Sequence, residues 1–331
     1  MTREARIPAC RVVFAFGRGA PNPAGFLPMT ASCAAFAALG RRARVGNGRR
    51  EGATRRGVIA AAAAWAAPGA SFAAPPVRAA SMFPCLDAIL VAVADRGQIA
   101  GLSAGARDPR ASTVVAIAKT LPSVKGGAEG VAALKPDLVL ASAYAQPAFR
   151  AALVRLGVRV ETFETAETIA QSLADVRRVA ALIGRPAEGE ALARAIENAL
   201  AAAAPARPRR PIEALVFEPR GFVAGGDTVI DDALRRLGFA NAAARYGVRQ
   251  WGNITLEALL ADPPELLLAA APQPGAQTLS ERITAHPALA RIAPRMRRDA
   301  LPNALIFCGG PSLLTTAPLL AAARERFWAQ A

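Results

Sequence analysis

Cys85 and Cys308 are the side chains in this chain with the widest range of possible chemistry. Each stands where a short apolar run, predicted as a strand, gives way to a helix start. Two buried, inert thiols are the plainer expectation for the pair. The functional alternatives are that they pair as a redox-sensitive clasp or act as soft ligands for a metal. His286 is the single histidine and is followed by proline. One histidine cannot build a histidine-rich metal centre, so it is read as structural.

Other reactive-looking groups carry less. Asp231-Asp232 is a paired acid, but neighbours on a helix point in different directions, so a solvated first turn is expected. Gly225-Gly226-Asp227 lacks the glycine spacing of a dinucleotide loop, and no Gly-x-x-x-x-Gly-Lys-Ser/Thr motif occurs. With one histidine available as base, no Ser-His-Asp or Cys-His set is credible. The chain is therefore read as a non-enzyme, with an α/β enzyme kept as the alternative.

Two acids belong to something larger. Glu129-Gly-Val-Ala-Ala-Leu-Lys-Pro136-Asp-Leu-Val-Leu-Ala141 and Glu257-Ala-Leu-Leu-Ala-Asp-Pro-Pro264-Glu-Leu-Leu-Leu-Ala269 read as copies of one unit. An acid opens a one- to two-turn apolar helix, a proline stops it, and an apolar run suited to a buried parallel strand follows. Glutamate in a first turn is favoured anyway by the helix dipole. The similar strand and helix pattern around each copy is what makes the repeat an indication of two similar lobes.

Composition sets the outer limits. The chain has 331 residues, 53% of them hydrophobic and 20% charged, as in a packed two-domain α/β protein. Its formal charge of +15 is concentrated at the N-terminus, where residues 1–73 hold eleven arginines against Glu4 and Glu51. The remainder carries 29 basic and 23 acidic residues, with no basic block longer than Arg207-Pro208-Arg209-Arg210. That dispersed charge, with few tyrosines and tryptophans for base stacking, argues against nucleic-acid binding.

The N-terminus has the form of an export signal. Thr54-Arg55-Arg56-Gly57-Val58-Ile59 precedes an alanine-rich run around Trp65 and the small-x-small end Ser71-Phe72-Ala73. The paired arginines are similar to a twin-arginine signal, and cleavage is expected after residue 73. The apolar run is too short for a stable membrane anchor. Cys10 and Cys33 would leave with the signal, and neither Cys85 nor Cys308 adjoins the cleavage site, so no lipid anchor is expected.

Elements follow from periodicity and stop signals. Strands are predicted at 79–83, 98–102, 138–141 and 158–162, with helices at 84–94, 112–120, 129–134 and 146–156 between them. Helical periodicity then runs from Glu167 to Ala204 with a break at Gly184-Arg185-Pro186, and a stiff proline linker follows. The second half gives strands at 212–217, 266–269 and near 300. Its helices are predicted at 228–237, 255–261, 279–292 and 312–328, with 246–253 a loop. The expected fold is α/β, two Rossmann-like lobes with parallel sheets joined by a long α-helix, a ligand cleft between them. Its parts would be a 1–73 extension with signal peptide, a 74–165 lobe, a 166–211 backbone helix and linker, and a 212–331 lobe.

That order resembles the helical-backbone substrate-binding proteins of ABC importers, the group that delivers cobalamin, iron siderophores and haem. The resemblance spans residues 77–328. It is carried by Leu121-Pro-Ser-Val124, Ala133-Leu-Lys-Pro-Asp-Leu-Val-Leu-Ala141, Leu153-Val-Arg-Leu-Gly-Val158 and Ala180-Ala-Leu-Ile-Gly-Arg-Pro186. It continues, more loosely, through His286-Pro-Ala-Leu289 and Cys308-Gly-Gly-Pro311.

The resemblance implies a periplasmic monomer without a cofactor of its own, serving a permease and its ATPase. Glu129 and Glu257 match the acids that dock into arginine pockets of the permease. A metal chelate would sit between the lobes against Phe83, Cys85, Arg107, Ser142 and Tyr144 from one side and Arg220, Phe222, Trp251 and Cys308 from the other. A binding lobe serving as a sensor, with no use for the two glutamates, is the further alternative.

Overall fold

The computed structural model describes residues 77–207, 209–270 and 295–330, which belong to the compact unit Ala70–Ala331. The export-signal expectation, the helix predicted at 279–292 and His286 lie outside the described residues. No helix among the described residues is long and apolar enough to cross a membrane.

The first half alternates strand and helix. Strand β1 (Ala79–Ser81) runs into helix α1 (Pro84–Val93), which starts on a proline whose ring presets the helical φ. Strand β2 (Ile99–Gly101) and the short helices α2 (Val115–Ala118) and α3 (Ala128–Ala132) precede β3 (Leu138–Ser142), α4 (Pro147–Arg155) and β4 (Arg159–Phe163). The four strands pair in parallel in the order β2-β1-β3-β4. β1, β2 and most of β3 are buried on both faces, which is why they read as continuous apolar runs rather than alternating ones.

Two helices follow as an antiparallel hairpin. α5 (Ile169–Leu182) opens on a capping box, with the Thr168 side chain accepting from the Gln171 N–H, and α6 (Pro186–Ala203) is about 27 Å long at 1.5 Å per residue. Ile169, Leu173, Val176, Val179 and Ala180 form the buried stripe of α5 that periodicity predicts. At Gly189 an added Cβ would come within 2.4 Å of the Ala180 Cβ, so glycine is what lets α6 lie this close to α5.

The second half repeats the first. Strand β5 (Ile212–Phe217) leads through β6 (Phe222–Ala224) and α7 (Val229–Arg236) to β7 (Phe239–Asn241) and β8 (Trp251–Asn253). Then come α8 (Leu256–Ala261), β9 (Leu266–Ala269), β10 (Arg297–Ala300) and α9 (Leu313–Ala329). The parallel strands run β7-β5-β9-β10, so the second, first, third and fourth parallel strands of this half lie in the same order as in the first half. The repeat seen in sequence is thus a repeat of topology. α3 and α8 precede equivalent strands, and Glu129 and Glu257 are the second residue of each.

Three strands are not expected from the sequence: β8, inside 246–253 where a loop is expected, and β6 and β7, in stretches given no element. β6 pairs antiparallel with the end of β5 and with β8, an addition to the parallel repeat. Each is three residues long, too short to establish a period. The turn into β6 depends on Gly221, whose φ is +76° and where a Cβ would meet the Ile254 carbonyl oxygen at 2.2 Å.

Asp231-Asp232 corrects another expectation. Asp231 is 2% exposed rather than solvated, and Asp232 reaches out of its lobe to accept from the Ile169 N–H at 2.9 Å, satisfying a free donor at the start of α5. Burial pushes the Asp232 carboxyl up, but hydrogen bonds from Arg236 and from Ile169 more than offset it, so it lies below the usual range. A depressed carboxyl contributes stability that is present above its unfolded value and lost as pH falls through the folded one. Asp232→Ala is expected to cost about 1 kcal/mol at pH 7, and less below pH 4, in urea unfolding. An equal cost at both pH values would refute the ionic part of this account.

From the other end, α9 fastens the hairpin to the second half. Arg324, 6% exposed, donates to the Ala203 carbonyl at 2.9 Å and the Leu237 carbonyl at 2.7 Å, satisfying the ends of α6 and α7 together.

Candidate functional site

The carboxyl ends of the strands open toward one region, where an open α/β sheet places ligands. Phe83 and Cys85 follow β1, Ser142 ends β3, and Phe163 and Glu164 close β4. With Ser172 and Asp175 of α5, and Phe307 and Gly309 ahead of α9, they line a hollow of about 460 Å³, open solvent included. Burial raises the Asp175 carboxyl to about 6, with Arg178 pulling the other way. The Ser172 hydroxyl accepts from the Gly310 N–H at 2.5 Å, holding the loop before α9 against the helical hairpin.

A second hollow, about 820 Å³ with its open mouth, belongs to the second sheet. Glu218 and Arg220 follow β5, Phe222 starts β6, Asn253 ends β8 and Asn303 follows β10. Arg220 holds φ = 70°, a left-handed conformation costing a non-glycine residue about 1 kcal/mol. Glu218 is 4% exposed, and burial lifts its carboxyl to about 8, so it is mainly protonated at neutral pH. Its Oε1 and the Oδ1 of Asn303 are buried without a hydrogen-bond partner.

An aromatic cluster links the two hollows. The rings of Phe222 and Trp251 lie 5.4 Å apart and 4° from parallel, and Phe307 lies 5.0 Å from Trp251 and 6.2 Å from Phe222. Phe222 lines the second hollow and Phe307 the first, so three near-parallel rings separate and join them. Phe307 is 39% exposed, a large apolar ring turned to solvent.

The cysteines are paired. Cys85 and Cys308 form a disulfide with their Cα atoms 5.1 Å apart, joining the start of α1 in the first half to the segment ahead of α9. This overturns the expectation of two inert thiols. It also removes the soft-ligand alternative while the bond is intact, because a disulfide offers no thiolate to a metal. No cluster of three or more His, Cys, Asp or Glu side chains among the described residues could hold a metal ion.

The other predicted contacts divide. Phe83, Cys85 and Ser142 line the first hollow, and Arg220 and Phe222 the second. Trp251 joins through its ring contacts and Cys308 through the disulfide. Tyr144 is 77% exposed just beyond Ser142 and lines neither hollow. Arg107 gives its guanidinium to the Ala118 and Leu121 carbonyls at 3.2 and 2.9 Å, an internal tie, and it too lines neither. Glu218, Asn303 and Phe307 were not among the predicted contacts. A strand-end position was the only signal for the first two, since burial without a partner is invisible in sequence.

Residues 80–294 match the periplasmic binding protein family. The chain belongs to that family. No curated protein matches the sequence significantly. Among solved structures, the fold is similar to the periplasmic heme-binding protein RhuT from Roseiflexus sp. RS-1 in apo form, with TM-score 0.61 and 23% identity over 77% of this chain and 99% of that one. It is similar to the periplasmic heme-binding protein HutB of Vibrio cholerae, with TM-score 0.62 and 19% identity over 75% and 98%. It is also similar to the periplasmic vitamin B12-binding protein BtuF of Vibrio cholerae, with TM-score 0.57 and 16% identity over 77% and 98%. Likeness at these identities establishes a shared fold. The chain is thus a periplasmic binding protein by family, with a fold shared by heme-binding and vitamin B12-binding periplasmic proteins.

Proposed function

We propose that this periplasmic binding protein captures a metal chelate of the heme, corrinoid or siderophore type between its two lobes and delivers it to an ABC permease served by an ATPase. The observation that carries the reading is the cluster of Phe222, Trp251 and Phe307, near-parallel and set between the two hollows. Flat aromatic surfaces beside a few polar groups suit a large, partly apolar macrocycle, which stacks on them by dispersion and quadrupole contact. The protein resides in the periplasm, where a disulfide persists, a reading that the Arg55-Arg56 pair ahead of an alanine-rich run supports. It works as a monomer.

Glu129 and Glu257 are the contacts for the permease. Both are exposed, and each is the second residue of a helix at an equivalent place in its lobe. Two fixed anions, one per lobe, let a membrane partner read the orientation of the carrier, since exposed charges of this kind govern encounter and register more than affinity. In vesicles carrying the cognate transporter, Glu129→Ala/Glu257→Ala should bind chelate as tightly as the parent yet lose at least about 90% of uptake, an order of magnitude set by loss of steering and register. Undiminished uptake by the double variant would show that the two glutamates are not the permease contacts, and an absence of uptake by the parent would favour a sensor of the same fold.

A further inference from the structure

Two of the residues lining the hollow beyond the aromatic cluster each carry a buried oxygen atom without a partner. Glu218, with its buried Oε1, and Asn303, with its buried Oδ1, stand beyond the ends of two different strands and line one cavity with Arg220, Phe222 and Asn253. Unpaired polar atoms of this kind are rare in folded proteins, because each forgoes the hydrogen bonds it made to water. They make sense where an incoming group completes them.

We propose that this hollow is a recognition subsite for a neutral group that both donates and accepts, a carboxamide arm on the rim of the cargo. The proposal rests on the cleft being the chelate site and adds which chelates it prefers.

The donor and acceptor inventory decides the class. Asn303 Oδ1 can only accept, so the ligand must supply an N–H or O–H. Glu218, held neutral by burial, can give its own O–H, so the ligand must also present an acceptor. A primary carboxamide has both, its N–H for Asn303 and its carbonyl for Glu218. A carboxylate can accept the Glu218 O–H but has no hydrogen to give, so it leaves Asn303 Oδ1 unpaired. Arg220 would welcome a carboxylate, but its side chain is exposed, and an exposed pair contributes little beside a buried group left unsatisfied.

pH is a second handle. Glu218 is the titratable group among the lining residues, with Arg220 permanently charged and Phe222, Asn253 and Asn303 neutral. Raising the pH through about 8 ionises Glu218, which then accepts from an amide N–H and repels a carboxylate.

The test uses two macrocycles, each in amide and acid form: vitamin B12 against its hydrolysed form with arm carboxamides turned to carboxylates, and heme bis-amide against heme. Affinities are read by calorimetry on the full mature protein at pH 7 and pH 9.5. On whichever scaffold binds, the amide form should bind about tenfold tighter at pH 7, and the gap should widen at pH 9.5. Glu218→Gln keeps a donor and an acceptor and should retain the preference at both pH values. Asn303→Ala should reduce it to within about threefold.

An acid form that binds as well as or better than its amide overturns the proposal, as does a preference unaffected by Asn303→Ala. Because the ligand pairs are compared on the parent protein, a variant that fails to fold does not stop the test. Should neither scaffold bind while a ferric siderophore does, the subsite proposal fails and the chelate-carrier reading stands. Should none of these chelates bind, both fail.

Discussion

Cys85→Ser/Cys308→Ser should lose about 2–5 kcal/mol of unfolding free energy relative to the parent. The bond closes a segment of the chain 223 residues long, between the first helix of one half and the approach to the last helix of the other. In the chain-entropy account a crosslink of that span restricts the unfolded ensemble by about 5 kcal/mol, an upper figure since residual structure in the unfolded chain reduces it. Urea unfolding with and without reductant reads the effect. The reduced parent should converge on the double variant, which should not respond to reductant. Two titratable thiols in the native mature protein, or a midpoint indifferent to reductant, would show that the bond is not formed.

The same bond has a functional side. Cys85 lines the first hollow, so the crosslink lies at its wall and limits how far the halves separate there. The oxidising compartment proposed for this protein keeps it closed.

Trp251→Ala should weaken chelate binding by about 2 kcal/mol, roughly thirtyfold, with Trp251→Phe recovering most of the loss. Trp251 contacts both Phe222 and Phe307, and removing it leaves those two rings 6.2 Å apart with a gap beside them. Large aromatics at the centre of a binding surface carry a disproportionate share of its energy. Calorimetric titration with heme or vitamin B12, whichever the parent binds, gives the affinity. Trp251 also packs against the main core, so a melting curve must accompany each titration. An alanine variant that keeps its melting temperature and binds within threefold of the parent would remove the cluster from the binding surface.

What could be read from the chain alone was local. The stripe Ile169, Leu173, Val176 on α5, the proline opening α1 and the glycine and proline between α5 and α6 act over a few residues, and the structure has the helices where they indicate. β6, β7 and β8 were missed because three residues with glycine among or beside them carry no period. β6 pairs with the end of β5, β7 with its start and β8 with β6, so each exists only where the assembled sheet offers an unpaired edge.

By itself, then, the sequence determined two copies of one strand-helix plan, the helical hairpin between them and the matched places of Glu129 and Glu257, since periods and helix stops are written in neighbouring residues. Tertiary structure decided the rest: that Cys85 finds Cys308, that rings from positions 222, 251 and 307 meet, and that Glu218 is buried and protonated. Proximity and local dielectric depend on which distant segments the fold brings together, and spacing along the chain does not encode them.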